Sequence, residues 1–258
     1  MSDTHLAPSL ASADANWSAV VAHLSEDPPD LVVHTGDITI DGAHRDDHLD
    51  HGRARLGELP CPWLAIPGNH DIGDVAPTTM PVTAARRDAY EARFGPGNWS
   101  TDVGAWRIVG IDVQALVGLA ADDDPWQWLG EVLTTDGPKM LCCHRPLWPA
   151  PSDGEHAGRY VPEPARSRLG ALAASGDVRV IATGHVHQRA SLRRDRISLE
   201  WAPSTWAVLP EWVQPTIVTK QVGYVEHLLG EDVTSRAVIP SSITQFTIGV
   251  DFDSPYDH

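Results

Sequence analysis

The sequence predicts an α/β fold built on mixed β-sheets, in which parallel and antiparallel strands occur together. Up to residue 187, short apolar runs typical of buried strands alternate with amphipathic segments typical of helices. Beyond that point the helical periodicity ends, and paired stretches with turn residues between them predict antiparallel strands over 188–258. No repeat, low-complexity segment or linker divides the sequence, so we expect one domain over residues 1–258.

Five segments are predicted to be helices. In the first, apolar residues recur at the helical spacing until Pro28 and Pro29 interrupt the pattern; these residues are Trp17, Val20, Val21 and Leu24. In TAARRDAYEARFG, Thr83 is the expected N-cap and Gly95 the expected stop. The other helical segments are AHRDDHLDHGRARLGEL, PWQWLGEVL and PEPARSRLGALAAS.

Four apolar runs are predicted to be buried strands, and each ends in a turn marked by glycine or proline. They lie in DLVVHTGD, CPWLAIPGNHD, KMLCCHRP and VRVIATGHVH. A hairpin is predicted over WSTDVGAWRIVGIDV, and further hairpin strands over RASLRRDRISLEW, QVGYVEHLLGEDVTSRAVI and QFTIGVDFD. Because the carboxyl ends of strands in α/β sheets open onto the crevice where ligands bind, the residues after each run are candidates for a site.

The composition is that of a globular protein. The 258 residues have a mass of 28.0 kDa, and 42% are apolar and 21% charged. No stretch approaches the ~18 uncharged apolar residues of a membrane helix, and no basic-then-apolar leader is present. Cys61, Cys142 and Cys143 form neither a disulfide framework nor a C-x-x-C metal clip. We therefore expect a cytoplasmic protein without a membrane partner.

The formal net charge is −16, from 19 basic and 35 acidic residues. Such a surface repels polyanions, whereas non-specific nucleic-acid binding depends on neutralising phosphates with Lys and Arg. We expect no long nucleic acid as a partner, although a small anion could be drawn to a locally positive site. The oligomeric state is left open, a homodimer included.

Polar residues that could bind metal ions follow the four predicted strands. They are Asp37 after the first strand, Asn69, His70 and Asp71 after the second, His144 after the third, and His185 and His187 after the fourth. Asp3 and His5 form a fifth group at the start of the sequence. Each group alone is weak evidence, because turns favour Gly, Asn and Asp without any function.

The ligand types indicate a pair of divalent ions. Carboxylate, imidazole and amide donors suit Mn, Fe, Zn or Co better than a cysteine-rich structural zinc site. These candidates are too many for one tetrahedral ion and suit two ions that share a carboxylate. Two ions ~3.5–4 Å apart can hold a hydroxide between them and clamp the oxygens of an in-line phosphoryl displacement. A small phosphate ester is therefore the expected substrate.

In order along the chain, SDTHL, TGDITIDG, PGNHD, CHRP and TGHVH resemble the signature of the calcineurin-like metallophosphoesterases. The resemblance extends over residues 3–187, about three-quarters of the sequence. It implies two mixed β-sheets packed as a sandwich flanked by helices, which agrees with the antiparallel strands predicted after residue 187.

The resemblance also implies a role for each motif residue. Asp3, His5 and His187 would bind one metal, Asp37 would bridge, and Asn69, His144 and His185 would bind the second metal. His70 would lie near the leaving group, to protonate it or stabilise its charge, and Asp71 would orient the His70 imidazole.

The motifs favour one branch of the family. Ser/Thr protein phosphatases carry Arg-Gly after their second motif and Glu after the asparagine–histidine pair, whereas this chain has GDITIDG and GNHD. It looks more like the class III cyclic nucleotide phosphodiesterases and related small-molecule phosphodiesterases, which carry GDxxxDG and GNHD.

Two further features have open interpretations. Arg145, directly after His144, could bind a phosphate oxygen, and a salt bridge to a nearby acid is the alternative. His44, His48 and His51 recur on one helix face, where we expect a solvated polar surface rather than a metal site.

The start of the sequence departs from the family pattern. A full β-strand usually precedes the first motif, yet here only Met1 and Ser2 come before Asp3. Either the natural chain begins upstream, or the protein works without that strand. Because a ligand on a free end costs more entropy to order, we expect the metal bound by Asp3 and His5 to be the weaker one.

Three functional hypotheses follow. The favoured one is a dinuclear metal-dependent phosphodiesterase that hydrolyses a small phosphate ester, such as a 3′,5′-cyclic nucleotide, by in-line attack of a metal-bridging hydroxide. The second is a metal-binding scaffold of the same fold with impaired catalysis. The third is a nuclease of the superfamily, against which the acidic charge and the lack of a basic stripe argue.

Overall fold

The computed structural model describes residues 1–75, 78–119, 125–154 and 158–254. The helices of these residues are α1 (Ala11–Glu26), α2 (Asp46–Leu56), α3 (Asn69–Ile72), α4 (Ala84–Phe94), α5 (Val113–Gly118), α6 (Pro125–Leu133) and α7 (Ala165–Ser175). The strands are β1 (Val32–His34), β2 (Trp63–Ala65), β3 (Trp99–Val103), β4 (Trp106–Ile111), β5 (Lys139–Cys143), β6 (Val178–Thr183), β7 (Gln188–Arg194), β8 (Ile197–Trp201), β9 (Ala207–Val208), β10 (Thr219–Lys220), β11 (Tyr224–Leu229), β12 (Val233–Val238) and β13 (Phe246–Thr247).

A seven-stranded mixed sheet forms the centre of the fold. Its strand order is β10-β7-β8-β6-β5-β4-β3. Strands β4, β5, β6 and β8 are mutually parallel, while β3, β7 and β10 pair with their neighbours in the antiparallel sense. The predicted α/β class with mixed strand directions is therefore confirmed.

Apolar side chains alternate between the two faces of this sheet, as the period of a strand requires. One face packs against α6 and α7 through a cluster that includes Val109, Leu141, Ile181, Leu129 and Leu169. The opposite face presents Ile108, Met140, Cys142 and Val180 to a second β layer. The sheet is covered on both sides, and its parallel strands are buried as such strands usually are.

The second β layer consists of short pieces rather than one continuous sheet. β1 pairs with β2 and β13 pairs with β9, each in parallel, and Leu6 forms a single bridge to Thr39. Strands β1 and β2 are only three residues long, because glycine- and proline-containing loops begin soon after them. Helices α1, α2 and α4 cover this layer with Trp17, Leu49, Leu56, Tyr90 and Phe94. The resulting layer order is the predicted sandwich flanked by helices.

Helix α2 differs from its prediction, because His48 lies in the protein interior. His48 is 5% exposed and lies one helical turn before Gly52. A Cβ at Gly52 would lie only 3.0–3.1 Å from side-chain atoms of Thr39 and Ile38, so the helix approaches the β layer closely there. The predicted solvated face is therefore wrong for His48, although His44 is exposed.

The last predicted hairpin is also different in the structure. Only Phe246 and Thr247 form a strand, and they pair in parallel with β9. The backbone turns directly afterwards, since the N–H groups of Val250 and Asp251 donate to the carbonyl of Thr247. This turn prevents the antiparallel extension that the sequence pattern predicted.

The first residues are held in the interior rather than on a free end. The N–H groups of Asp3, His5 and Leu6 donate to the carbonyls of Gly36, Asp37 and Ile38 at 3.0, 3.1 and 2.7 Å. Asp3 and His5 are both fully buried. The premise of a loosely ordered start is therefore wrong, while the weaker affinity of the metal bound there stays a prediction.

Among the described residues, none of the helices combines the length and apolarity needed to cross a membrane.

We predict that Asp112→Asn changes the pH dependence of stability. Asp112 caps α5 through a 2.8 Å bond from the N–H of Ala115, and burial raises the pKa of its carboxyl to about 7. Between the unfolded value near 4 and pH 7, the folded state holds a proton that the unfolded state has lost. Stability therefore falls as pH rises through this window, and the asparagine variant lacks this loss.

Chemical denaturation at several pH values measures the effect. The free energy of unfolding of Asp112→Asn, relative to wild type, should rise between pH 4 and pH 7.5 by on the order of 2–4 kcal/mol. Asp88→Asn, at an exposed position on α4, controls for the loss of a surface charge. A constant difference across this range would contradict the assignment.

Candidate metal centre

The candidate ligands meet at one edge of the two β layers. Asp37 follows β1, Asn69 begins α3 after β2, His144 follows β5, and His185 and His187 follow β6. Since β1 and β2 are parallel, as are β5 and β6, the loops after them emerge at common ends. Three groups of side chains have ligand atoms within 4.8 Å of one another: Asp3, His5 and His187; His5, Asp37 and His70; and Asp37, His144 and His185.

On one side of the centre, two imidazoles approach a carboxylate. Nε2 of His5 lies 3.1 Å from Nε2 of His187. Oδ1 of Asp3 lies 3.4 Å from Nε2 of His187 and 4.0 Å from Nε2 of His5. These are the three residues that the motifs assign to the first metal.

On the other side, Nε2 of His144 is surrounded by three acceptor atoms. Oδ2 of Asp37 and Oδ1 of Asn69 are each 3.2 Å away, and Nδ1 of His185 is 3.1 Å away. One proton on Nε2 cannot satisfy all three neighbours at once, whereas a cation among the four atoms can. This group matches the residues predicted for the second metal.

Asp37 lies between the two groups and presents one oxygen to both. Its Oδ1 accepts a 2.9 Å hydrogen bond from the backbone N–H of His70. Its Oδ2 lies 3.2 Å from Nε2 of His144 and 4.0 Å from Nε2 of His5. A single carboxylate oxygen is thus positioned as the predicted bridging ligand would be.

The other nitrogens of three histidines contact backbone carbonyls. Nδ1 of His144 lies 2.8 Å from the carbonyl of Thr35, Nδ1 of His187 lies 2.8 Å from that of Ala207, and Nε2 of His185 lies 2.7 Å from that of Gly158. A carbonyl only accepts, so each of these nitrogens carries a proton, and the opposite nitrogen, which could bind a metal, points into the cluster. This arrangement is typical of metal-binding histidine.

The donor set and its spacing fit divalent ions. Ligand atoms about 2.0–2.2 Å from one ion lie roughly 3 Å from each other, as the imidazole nitrogens do here. Oδ1 of Asp3 is buried and accepts no hydrogen bond from the residues that the structure describes. A buried carboxylate oxygen without a donor is costly unless a cation neutralises it.

Five of these residues have a left-handed backbone, which is uncommon outside glycine. The φ angles are 53° for Asp3, 49° for His5, 53° for Asp37, 67° for His185 and 54° for His187. Among the other described non-glycine residues, only Asp195 has a positive φ. Backbone strain concentrated on candidate ligands is characteristic of functional sites.

Two motif glycines are required because backbone passes directly against a ligand. A Cβ at Gly68 would lie 2.1 Å from Oδ1 of Asp37. A Cβ at Gly184 would lie 1.7 Å from Oγ of Ser2 and 2.5 Å from Oδ2 of Asp3. No side chain fits at either position without displacing a candidate ligand.

Asp71 links two loops through its carboxylate. Oδ1 accepts hydrogen bonds from the backbone N–H and hydroxyl of Thr39 at 2.9 and 2.8 Å, and Oδ2 accepts from the N–H groups of Ile38 and Gly68 at 3.1 and 2.9 Å. Both oxygens are thus engaged, and Nδ1 of His70 instead contacts the carbonyl of Ile40 at 2.8 Å. Asp71 therefore joins the loops after β1 and β2, and its role in orienting the His70 imidazole stays a prediction.

The charges of the cluster shift the pKa values of its members. Burial is the largest single influence on His144 and lowers its pKa. The charge and hydrogen bond of Asp37, together with Asp3 and the carbonyl of Thr35, outweigh burial and raise this pKa to about 9. The same pair holds the pKa of Asp37 well below its usual range despite burial. Burial holds the pKa of His5 and His185 well below 6.5. The metal-free cluster therefore retains cationic histidine beside its central carboxylate.

Arg145 is buried beside this cluster and forms an ion pair with Asp74. The salt bridge that the sequence left open is therefore present, and contact with a phosphate oxygen stays a prediction. The carbonyls of Thr35, Ala207 and Gly158 were not predicted to contribute, because a backbone acceptor leaves no signal in side-chain identity.

A cavity of about 760 Å³ lies elsewhere in the protein, between the large sheet and the β11–β12 hairpin. It is lined by Met1, Val33, Met140, Tyr224 and other residues, and among the described residues no candidate metal ligand lines it. The size of a cavity therefore does not identify the site here; the convergence of ligand types does.

Comparison with known proteins agrees with the fold and the motifs. The sequence profile of calcineurin-like phosphoesterases matches residues 1–189. The chain belongs to the calcineurin-like phosphoesterase family and is a metallophosphoesterase, a hydrolase. The family implies divalent metal ions, and the clusters above are candidate sites for them.

The relatives include cyclic nucleotide phosphodiesterases. The chain is 26% identical over 191 residues to a probable cyclic nucleotide phosphodiesterase of Synechococcus sp., which covers 73% of this chain and 69% of the relative. It is 26% identical over 215 residues to the 3′,5′-cyclic adenosine monophosphate phosphodiesterase CpdA of Pseudomonas aeruginosa, covering 80% and 74%. A dimetal phosphatase from Danio rerio shares the fold, with a TM-score of 0.61, 14% identity, and coverage of 92% of this chain and 94% of that one.

We predict that metal binding releases protons at neutral pH. Because the pKa of His144 is raised to about 9, a metal must displace a proton from Nε2. The apparent affinity for Zn²⁺ or Mn²⁺ should rise by about tenfold per pH unit for each proton released between pH 6 and pH 8. Isothermal titration in buffers with different ionisation enthalpies counts the protons, and a count of zero would contradict this assignment.

We also predict that Gly68→Ala disrupts the centre without unfolding the protein. Its Cβ would displace the carboxylate of Asp37, so the metal content should fall by at least half and phosphoesterase activity by about 100-fold. Metal analysis and circular dichroism measure the two effects. Gly154→Ala is the matched control, since a Cβ there meets no atom of the described residues within 4 Å. Normal metal content in Gly68→Ala would show that Asp37 tolerates the displacement.

Proposed function

We propose that this protein is a dinuclear metal-dependent phosphodiesterase that hydrolyses a small phosphate ester, with 3′,5′-cyclic nucleotides as the substrate class. The observation that carries the proposal is the pair of ligand groups on either side of Asp37, which share its Oδ2. One tetrahedral ion could not use so many buried donors at these separations.

Each group would hold one divalent ion of the Mn, Fe or Zn type. Asp3, His5 and His187 would bind the first ion, Asn69, His144 and His185 the second, and Asp37 both. When bound, such ions supply charge stabilisation for phosphoryl oxygens and lower the pKa of water to near neutrality. Around them, the chain orients the imidazoles through the carbonyls of Thr35, Ala207 and Gly158.

His70 is the residue suited to the leaving group. Its Nδ1 lies 2.8 Å from the carbonyl of Ile40, and this contact fixes the orientation of the ring. Its ring lies 4.9 Å from the ring of His5, and its side chain is half-buried rather than enclosed. From this rim it would donate a proton to the departing oxygen or stabilise its charge.

Three observations support a small substrate. The two sequence relatives are named as cyclic nucleotide phosphodiesterases. GDITIDG and GNHD are the motifs of that branch. The net charge of −16 disfavours long polyanions, while two bound ions would make the centre locally positive. We therefore propose neither a long nucleic acid nor a membrane as partner.

The test is hydrolysis of bis(p-nitrophenyl) phosphate and of cyclic AMP with added Mn²⁺. His70→Ala should lower kcat by about 100-fold or more with unchanged metal content, because a proton donor is lost while the ligands remain. Asp37→Asn should lower both kcat and metal content, because the shared ligand is weakened. His51→Ala, on α2, is the control for loss of a histidine outside the centre.

The alternatives give different results. A protein that holds metal tightly but shows no turnover of diesters or monoesters would be a scaffold of this fold. Preferential cleavage of single-stranded DNA would indicate a nuclease. Either outcome would overturn the proposed phosphodiesterase activity on small esters.

A further inference from the structure

Arg145 joins two segments that carry candidate ligands. It follows His144 at the end of β5, and its side chain reaches Asp74, two residues after α3, the helix that begins at Asn69. The side chain is 1% exposed. A guanidinium is always charged, so a full positive charge is buried at the edge of the metal centre.

The guanidinium has hydrogen-bonding capacity that the protein does not use. Nη2 donates to Oδ1 of Asp74. Nε and Nη1 are buried, and within the described ranges of the chain neither donates to an acceptor. Charged donors left without acceptors in the interior are costly, which calls for a partner that comes from outside the chain.

Asp74 holds the guanidinium in one orientation without occupying all of it. Its own backbone is fixed, because its N–H donates to the carbonyl of Met80 at 2.7 Å and it forms a bridge with Pro81. Oδ1 of Asp74 thus accepts from Nη2, while Nε and Nη1 have no acceptor among the described residues.

We infer that Arg145 is a substrate-binding residue that donates to a non-bridging phosphoryl oxygen of the ester, and that Asp74 is the positioning residue that orients it. This inference rests on the proposed function. It adds to that function a protein donor for the phosphoryl group, independent of the metal ions. Arginine suits this role because its planar donors match phosphate geometry.

The experiment compares Arg145→Gln, Arg145→Lys, Asp74→Asn and the Arg145→Gln/Asp74→Asn double variant in the metal-loaded protein. Two readouts are used: KM for bis(p-nitrophenyl) phosphate, and the Kd of inorganic phosphate by isothermal titration, which needs no turnover. Arg93→Gln is the control, since Arg93 pairs with Asp46 and Asp50 between α2 and α4.

We expect Arg145→Gln to raise KM and the phosphate Kd by about tenfold or more, with metal content unchanged. Arg145→Lys should lose less phosphate affinity than Arg145→Gln, because lysine keeps the positive charge but not the planar, forked donors of a guanidinium. Asp74→Asn should weaken binding by about threefold through loss of orientation. Arg93→Gln should match wild type.

The double variant separates binding from a merely structural role. It replaces the ion pair by two neutral amides, so a purely structural pair would be repaired and phosphate affinity restored. Restored affinity, or a phosphate Kd in Arg145→Gln within twofold of wild type, would overturn the inference. A wild-type protein that binds phosphate but shows no metal-dependent turnover would instead overturn the proposed function alone.

Discussion

The carboxylate of Asp37 is the interaction on which the rest of the centre depends. One oxygen is tied to the backbone N–H of His70, and the other faces imidazoles on both sides. The loop after β2 passes so close to this carboxylate that a Cβ at Gly68 would collide with it. The close approach is possible because residue 68 is glycine. The parallel pairing of β1 and β2 brings the two loops together.

Asp71 stabilises the close approach of the two loops that carry Asp37 and Gly68. Its carboxylate accepts four hydrogen bonds that link the loop after β1 to the loop after β2. Burial, together with the charge of Asp37, raises the pKa of Asp71 to about 6. Two buried carboxylates repel one another unless cations lie nearby. The left-handed backbone of five candidate ligands adds strain to this region, and the packed layers on both sides hold it in place.

Much of the fold could be predicted because local pattern and tertiary structure agree. Helix α4, with Thr83 accepting from the N–H of Arg86, follows from its caps and periodicity. The β7–β8 and β11–β12 hairpins follow from alternation and turn residues. The sequence missed α3, α5, β9 and β10, which are two to six residues long and lack a periodic signal. The sequence also predicted an exposed His48. Its burial depends on how closely α2 packs at Gly52 rather than on the helical periodicity of α2.

By itself, the sequence predicted which residues would come together as candidate metal ligands. Gly-Asp, Gly-Asn-His-Asp and Gly-His-x-His each follow the end of a predicted strand. Their Asp, Asn and His side chains are of the types that bind metals, and the adjacent glycines allow the tight backbone turns. Both features are visible in a few consecutive residues. Only the tertiary structure decided which atoms face one another. Asp71 accepts from the backbone of the loops after β1 and β2, and Arg145 pairs with Asp74. The carbonyls of Thr35, Ala207 and Gly158 orient the imidazoles. These contacts join residues far apart in the chain, and backbone acceptors are identical at every position, so no local pattern could encode them.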